Sequence, residues 1–392
     1  MISLARFSVS PRLQILSVIL VCLSLLNGCG STSTSTPPST QATSFAFVSN
    51  SGSGTVSAFI VGNNGALSPV TGSPFGAGAG AEFMAFDPVH KLLFVSNQTA
   101  NTLSAFSVNT TTGMLTVVPG SPFATGARPT AVTVDAAGKF VFVANQAAGS
   151  IAVFSIGAGG VLSPVAGSPF AANSPYGLAV NPSGTALYAT NFPDSQISDL
   201  NTVSAFSVGA NGALSAIAGS PFADANSSAG FAAGIGILAD PSGKFVFVGD
   251  HMAESVVPFN VNPASAALTP ASALPTPATT CGTSCHNNPL RLAVDPADKF
   301  LFSTNVQAGT ISVFNINAGN LTSIADVPTG AHPFGVAVDP TGHFLYVVNK
   351  VDSSISGFAL NSATGALTPI SGFPVNEGGN APTDIVIVPM TM

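Results

Sequence analysis

Ionisable side chains are scarce in this 392-residue chain, so those near predicted strand ends are the first candidates for chemistry. Charged residues make up 6% of the chain and the formal net charge is −7, whereas an average soluble domain has about 25% charged residues. The candidate catalytic residues are His332, Asp250, Arg128 and Arg291. A histidine or a carboxylate can activate water, and an arginine can stabilise an oxyanion. Together they supply the minimum set for hydrolysing an ester or a lactone.

Four further ionisable residues are predicted to lie near the same strand ends: Glu82, His251, Glu254 and His286. Each of them, like His332 before Pro333, is also explained as an ordinary residue at a strand end. Both interpretations remain open at this stage. Their value depends on whether the fold brings them together.

The elements that must position these residues form a repeat. The run FAFVSN (Phe45–Asn50) returns six times, and the seven copies close on Asn50, Asn97, Asn145, Asn191, Asp250, Asn305 and Asn349. Each copy contains four short runs rich in β-branched and aromatic residues, separated by turn residues. A repeat of about 50 residues with four strands is typical of a propeller blade. The sequence therefore predicts an all-β, seven-bladed β-propeller with four-stranded blades.

The ends of the chain indicate how the ring closes. The first copy lacks the strand that precedes each later copy, and an extra strand, Pro382–Pro389, follows the last copy. We expect this C-terminal strand to complete blade one, which also hides two sheet edges. The predicted organisation is a signal peptide over 1–28, a tether over 29–44 and the propeller over 45–389.

One column of the innermost strands contains two charged residues. Four residues before the Asp, or its equivalent, that ends each inner strand, the copies have Phe83, Ala131, Gly177, Gly236, Arg291, Gly335 and Asp384. Small residues suit a place where seven strands crowd together, and the two charges are exceptions. Arg291 and Asp384 are predicted to form an ion pair across the channel. The pair either stabilises ring closure or binds substrate.

Three segments depart from the repeat, namely Phe192–Asn201, Ala223–Ala233 and Ala271–Asn288. All three are predicted to emerge on one rim, over blades four to six. Functional residues are often carried by loops on a rigid scaffold. We therefore expect the site on this rim.

The N-terminus has the pattern of an export signal. Arg6 and Arg12 precede the apolar run Leu13–Leu26, which is too short to cross a bilayer and leads into Leu-Asn-Gly-Cys ending at Cys29. This ending resembles the bacterial lipobox, in which the signal is cut before a cysteine that then carries lipid. The prediction is a lipoprotein of the cell envelope, attached to the membrane at Cys29. An ordinary signal peptide is the alternative.

The remaining cysteines and the charge limit the cofactors and partners. Cys281 and Cys285 are predicted to form a disulfide in an oxidising compartment, with a metal site as the alternative. His286 follows them, but three residues separate the cysteines, so the pattern does not match haem attachment. No metal or other cofactor is predicted. Nine basic residues without a cluster argue against nucleic-acid binding, and a monomer is expected.

The repeats resemble a known family. The strands Gly65–Val70, Gly212–Ile217 and Gly365–Ile370, the Gly-Ser-Pro-Phe turns and the run His332–Asn349 are similar to segments of the lactonase family of seven-bladed propellers. This is the 6-phosphogluconolactonase and muconate-cyclising group, within the broader YVTN-type surface propellers. The resemblance implies lactone hydrolysis.

Only some residues of the family segments are present in this chain. His332 matches the family segment, and Asp250 matches an Asp that ends a strand in another. Phe334 stands where the family has Arg, and Lys350 stands where it has Glu. Two functions therefore remain open. One is a lactone hydrolase outside the cytoplasm, and the other is a non-catalytic envelope propeller that binds a glycan, a peptide or a protein.

Overall fold

A computed structural model describes residues 42–192, 202–223, 234–251, 254–271, 274–275 and 288–391. These residues form seven antiparallel sheets, which are the blades of a β-propeller. The predicted fold class is confirmed. In the described part of the chain the only helical segment is the 3-10 turn Ala158–Gly160, and no helix there is long and apolar enough to cross a membrane.

Each blade runs from an inner strand at the channel to a short outer strand. Blade 1 contains Pro382–Pro389, Ala42–Asn50, Thr55–Gly62, Leu67–Pro69 and Phe75–Gly76; blade 2 contains Ala81–Asp87, Leu92–Asn97, Thr102–Val108, Leu115–Val117 and Phe123–Ala124. Blade 3 contains Pro129–Val134, Phe140–Asn145, Ser150–Ile156, Leu162–Pro164 and Phe170–Ala171; blade 4 contains Pro175–Val180, Ala186–Asn191, Thr202–Val208, Leu214–Ala216 and Phe222–Ala223.

The remaining blades follow the same order. Blade 5 contains Gly234–Ala239, Phe245–Asp250, Ser255–Val261, Leu268–Pro270 and Leu274–Pro275; blade 6 contains Pro289–Val294, Phe300–Asn305, Thr310–Asn317 and Asn320–Pro328. Blade 7 contains Pro333–Val338, Phe344–Asn349, Ser354–Leu360, Leu367–Pro369 and Val375–Asn376.

The ring closes through the C-terminal strand, as the sequence predicts. Pro382–Pro389 pairs antiparallel with Ala42–Asn50, with Ser44 opposite Pro389 and Ser49 opposite Asp384. The first strand begins at Ala42, three residues before the predicted start of the propeller. The first and last strands of the propeller therefore share one sheet, in which Ala42–Asn50 is paired on both sides and Pro382–Pro389 is the innermost strand.

The Gly-Ser-Pro-Phe turns divide the outer strands. In blade 1 the hydroxyl of Ser73 accepts the backbone N–H of Ala58 at 2.8 Å, and in blade 2 that of Ser121 accepts from Ala105 at 2.9 Å. The side chain replaces a ladder partner where proline interrupts the strand. Blades 1 to 4 contain this turn. Six blades have a fourth strand split in two, including blades 5 and 7, which lack the turn, whereas blade 6 keeps the continuous strand Asn320–Pro328.

The core lies between neighbouring blades. Phe45 and Phe47 of blade 1 are fully buried against Leu93 and Val95 of blade 2, and comparable clusters follow at the other seams. Burial of these large side chains stabilises the ring with few charged residues.

Candidate functional site

The candidate site lies at the end of the channel where the second strands finish. We call this end the site rim; it comprises the strand ends Asn50, Asn97, Asn145, Asn191, Asp250, Asn305 and Asn349 and the starts of the inner strands that pair with them. The asparagines cap the blades. For example, Asn349 donates to the hydroxyls of Ser354 and Ser356, both at 3.0 Å.

Arg128 and His332 occupy the same backbone position in different blades. Each precedes the proline that starts an inner strand and has a left-handed conformation, with φ of 53° and 54°. Their carbonyls accept the N–H that follows the capping asparagine, from Gln146 at 3.0 Å and from Lys350 at 2.9 Å. This repeated turn projects both residues from the site rim, where Arg128 is half-buried and His332 is exposed.

The inner strands then bulge, which places two consecutive residues at the channel. In blade 2 the pairing shifts between Ala81 and Met84, so Glu82 and Phe83 lie outside the regular register. The same shift occurs between Pro289 and Leu292 in blade 6 and between Pro333 and Val336 in blade 7. β-Bulges commonly re-aim side chains next to functional sites.

Arg291 and Asp384 meet across blade 7. Arg291 Nη2 lies 2.8 Å from Asp384 Oδ2, and the same oxygen accepts the backbone N–H of Met84 at 2.9 Å. A Cβ at the intervening Gly335 would lie 2.7 Å from the Asp384 Cα, so only glycine fits between them. The Arg291 Cζ is also 4.1 Å from the centre of the Phe83 ring. The guanidinium is thus held by a carboxylate and an aromatic face.

Glu82 is the buried carboxyl at the centre of this group. The residue is 6% exposed, and burial raises the pKa of its carboxyl to about 7. The charges of Lys350, Arg291 and Arg128 oppose that rise, while Asp384 adds to it. At neutral pH the carboxyl therefore exchanges readily between its protonated and ionised forms, as a general base or acid must.

Aromatic rings form the apolar wall of the site. Phe83 and Phe334 stack with ring centres 6.4 Å apart, and Tyr176 meets Phe83 edge-on at 6.0 Å and Phe192 at 5.5 Å. The Lys350 ammonium lies 4.4 Å from the centre of the Phe334 ring. Burial, with help from the charge of Glu82, raises the pKa of Tyr176, so its phenol stays protonated.

Asp250 lies apart from Glu82, on blade 5. It is fully buried at the strand end where the other blades have the capping asparagine. Burial lowers the pKa of the adjacent His251, and the hydrogen bond with the Asn288 backbone and the charge of Asp250 offset this shift only in part. The fold thus brings three of the predicted residues, Arg128, Arg291 and Asp384, around Glu82. His332 and Asp250 lie on the same rim, but they are not among the charges that shift the pKa of Glu82.

Several sequence predictions fall outside the described residues. These are Cys29, Cys281, Cys285 and His286, together with most of the three loop segments. Within the described ranges no group of three or more His, Cys, Asp or Glu side chains could hold a metal ion.

Tyr176, Lys350 and Phe334 are site residues that the sequence did not place in the catalytic set. Tyr176 and Phe334 occupy the position one before the column of small residues, the same position as Glu82. Aligning that position across blades would have shown the unusual large and charged residues. Lys350 follows a capping asparagine, so the corresponding column would have shown it as well.

Comparison with known families agrees with this architecture. The model of the family described as lactonase, 7-bladed beta-propeller, matches residues 38–218 and 271–381. The chain belongs to this family of β-propellers. No curated protein matches the sequence.

Solved structures with the same fold share little sequence with this chain. A candidate 6-phosphogluconolactonase from Bacteroides fragilis has a TM-score of 0.73 at 20% identity, over 90% of this chain and 99% of its own. A second, from Bacteroides uniformis, has 0.74 at 18% identity, over 89% and 100%. The periplasmic gluconolactonase of Pseudomonas aeruginosa has 0.73 at 16% identity, over 89% and 100%. At these identities the likeness establishes the fold alone.

Proposed function

We propose that this protein hydrolyses a lactone at the site rim, with Glu82 as the general base. The observation that carries the proposal is a buried carboxyl whose pKa is about 7 and whose surrounding charges come from Lys350, Arg291 and Arg128. Family membership supports the same reaction class. Lactone hydrolysis needs a base to activate water and a positive group for the oxyanion.

The residues divide the reaction as follows. Ionised Glu82 takes a proton from water while the water oxygen bonds to the lactone carbonyl carbon. The cationic side chains stabilise the resulting oxyanion. The tetrahedral intermediate then breaks its ring C–O bond, and protonated Glu82 returns the proton to the departing alkoxide. The product is the open-chain hydroxy acid.

His332 and Asp250 stay as the alternative bases predicted from the sequence. His332 is exposed at the rim of blade 7, and Asp250 is buried in blade 5. Either one would act on a substrate bound closer to its own blade. Substitution of each residue separates these alternatives from Glu82.

The test is a panel of lactones assayed with the wild-type protein and with Glu82→Gln, His332→Ala and Asp250→Asn. Loss of a general base costs about 10²- to 10⁴-fold in rate, so only Glu82→Gln should lower kcat by this amount. If Glu82→Gln stays active and kcat falls by a comparable factor in His332→Ala or Asp250→Asn, the substituted residue is the general base instead. Substitution of Arg291 by Ala should also reduce turnover.

A second candidate function is binding of a glycan without turnover. The aromatic group formed by Phe83, Tyr176, Phe192 and Phe334 is the observation that favours it, because sugar rings pack on aromatic side chains. Phe83 is buried, and the other three residues are partly exposed. Oligosaccharide binding that is lost in Tyr176→Ala, together with no turnover of any lactone, would support this alternative.

We further propose that the protein is a lipoprotein of the cell envelope, held at Cys29, with a Cys281–Cys285 disulfide. The lipobox-like sequence before Cys29 supports the anchor. Cys29→Ser should release the protein from the membrane fraction, and continued retention would contradict the anchor. A mass shift on reduction and alkylation of Cys281 and Cys285 would test the disulfide.

A further inference from the structure

The bulges of the inner strands leave backbone groups that the strands do not pair. In blade 6 the register shifts between Pro289 and Leu292, so Arg291 lies in the unpaired part. In blade 7 the register shifts between Pro333 and Val336, so Phe334 also lies in an unpaired part of its strand. Buried backbone N–H and C=O groups almost always have a hydrogen-bond partner. Some other group must therefore hold the backbone of these two site residues.

Thr304 supplies both hydrogen bonds. Its fully buried hydroxyl accepts the backbone N–H of Arg291 at 3.1 Å and donates to the carbonyl of Phe334 at 2.9 Å. Thr304 belongs to the second strand of blade 6, whereas Phe334 belongs to blade 7. One hydroxyl thus joins the arginine of the ion pair to the ring that lies beneath the Lys350 ammonium.

The same arrangement recurs in blade 4, next to Tyr176 but not next to any of the charged residues around Glu82. Thr190 occupies the equivalent position in blade 4, where its hydroxyl accepts the N–H of Gly177 at 2.9 Å and donates to the carbonyl of Ile235 in blade 5 at 3.3 Å. Neither Gly177 nor Ile235 has a side chain that could take part in hydrolysis. The two threonines therefore make equivalent bonds, but only Thr304 bonds to residues whose own side chains belong to the site.

We propose that Thr304 is a positioning residue, which fixes Arg291 and the Phe334–Lys350 pair relative to Glu82. The inference rests on the proposed hydrolysis at Glu82. Arg291 and Lys350 both lower the pKa of Glu82, so the geometry that Thr304 maintains also sets the pH at which the base ionises. A displacement of about 1 Å at a reacting group can cost up to about 100-fold in rate.

The experiment compares Thr304→Val with its matched control, Thr190→Val. Each change removes one hydroxyl that joins two blades, so both variants should lose similar stability. Thr304→Val should lower kcat at least about tenfold, with a smaller change in KM, and should move the midpoint of the pH–rate profile upward because the cations shift away from Glu82. Thr190→Val should keep kcat within about twofold and leave the midpoint unchanged. Thr304→Ser, which restores the hydroxyl, should recover both properties.

Two results would overturn the proposal. One is an equal loss of kcat in both valine variants, which would mean a general structural role. The other is a Thr304→Val variant with the wild-type midpoint and rate. If Thr304→Val does not fold, Thr304→Ala against Thr190→Ala gives the same comparison.

Failure of the proposed function is read separately, from Glu82→Gln. If that variant turns over lactones normally, the titration of Glu82 can still be followed without substrate, through the pH dependence of unfolding. An upward shift of this titration in Thr304→Val supports the positioning role, and an unchanged titration overturns it.

Discussion

Glu82 should make this fold less stable as the pH rises. Burial raises the pKa of its carboxyl from 4.5 to about 7, so between these values the folded protein binds more protons than the unfolded chain. The free energy of unfolding then falls with pH. Each pKa unit corresponds to about 1.4 kcal/mol, so the shift amounts to about 3 kcal/mol. This penalty is absent below about pH 4.5 and complete above about pH 7.

Glu82→Gln removes the titration while keeping the shape of the side chain. Urea unfolding of the wild type and the variant at about pH 4 and about pH 8 should give a stability difference that changes by about 3 kcal/mol, in favour of the variant at the higher pH. Parallel pH dependences of the wild type and Glu82→Gln would refute the reasoning.

Three further predictions concern packing and buried charge. Arg291→Met leaves the Asp384 carboxylate buried without its partner and should lower the free energy of unfolding in urea by about 3–5 kcal/mol. Adding Asp384→Asn should restore much of this stability. No recovery in the double variant would contradict the pairing. Gly236→Ala places a Cβ 2.2 Å from a backbone carbonyl of the next blade and should lower the free energy of unfolding by about 1–3 kcal/mol. The Cβ of Gly76→Ala meets nothing within 4 Å, so this variant should be nearly neutral by the same assay. Burial raises the pKa of Glu377, so Glu377→Gln should gain stability relative to the wild type as the pH rises, and an equal difference at low and high pH would count against it.

The fold could be predicted from the sequence because the residue patterns that define its strands and turns are local and recur in each repeat. The strand-ending asparagines recur in every copy except one, and the turn residues fall at fixed offsets from them. The orphan strand Pro382–Pro389 could be assigned because the first copy lacks its inner strand. The division of the outer strands was not predicted, since the Ser73-type hydroxyl replaces a ladder bond in a way that strand periodicity does not show.

The site was predictable only in part. Arg291 and Asp384 stand out because they interrupt a column of small residues, and the structure places them in contact. The role of Glu82 was not evident, because its pKa depends on burial and on charges from four other blades. The inner-strand bulges of blades 2, 6 and 7 also leave two consecutive residues outside the regular register, which simple alternation along a strand does not predict.

Family membership gives the scaffold, while the site residues must define the reaction. Phe334 and Lys350, where the sequence departs from the segments it resembles, lie together in space. The lysine ammonium lies over the phenylalanine ring and contributes to the charges around Glu82. Lys350 thus supplies a positive charge to the site.

The most direct test of the account is kcat as a function of pH for a lactone that the wild type turns over, measured beside Glu82→Gln. A base with a pKa of about 7 predicts a wild-type rate that rises through about pH 7, and at least about 100-fold loss in the variant with that rise removed. The same pH profile and rate in both proteins would contradict the central claim that Glu82 is the catalytic base.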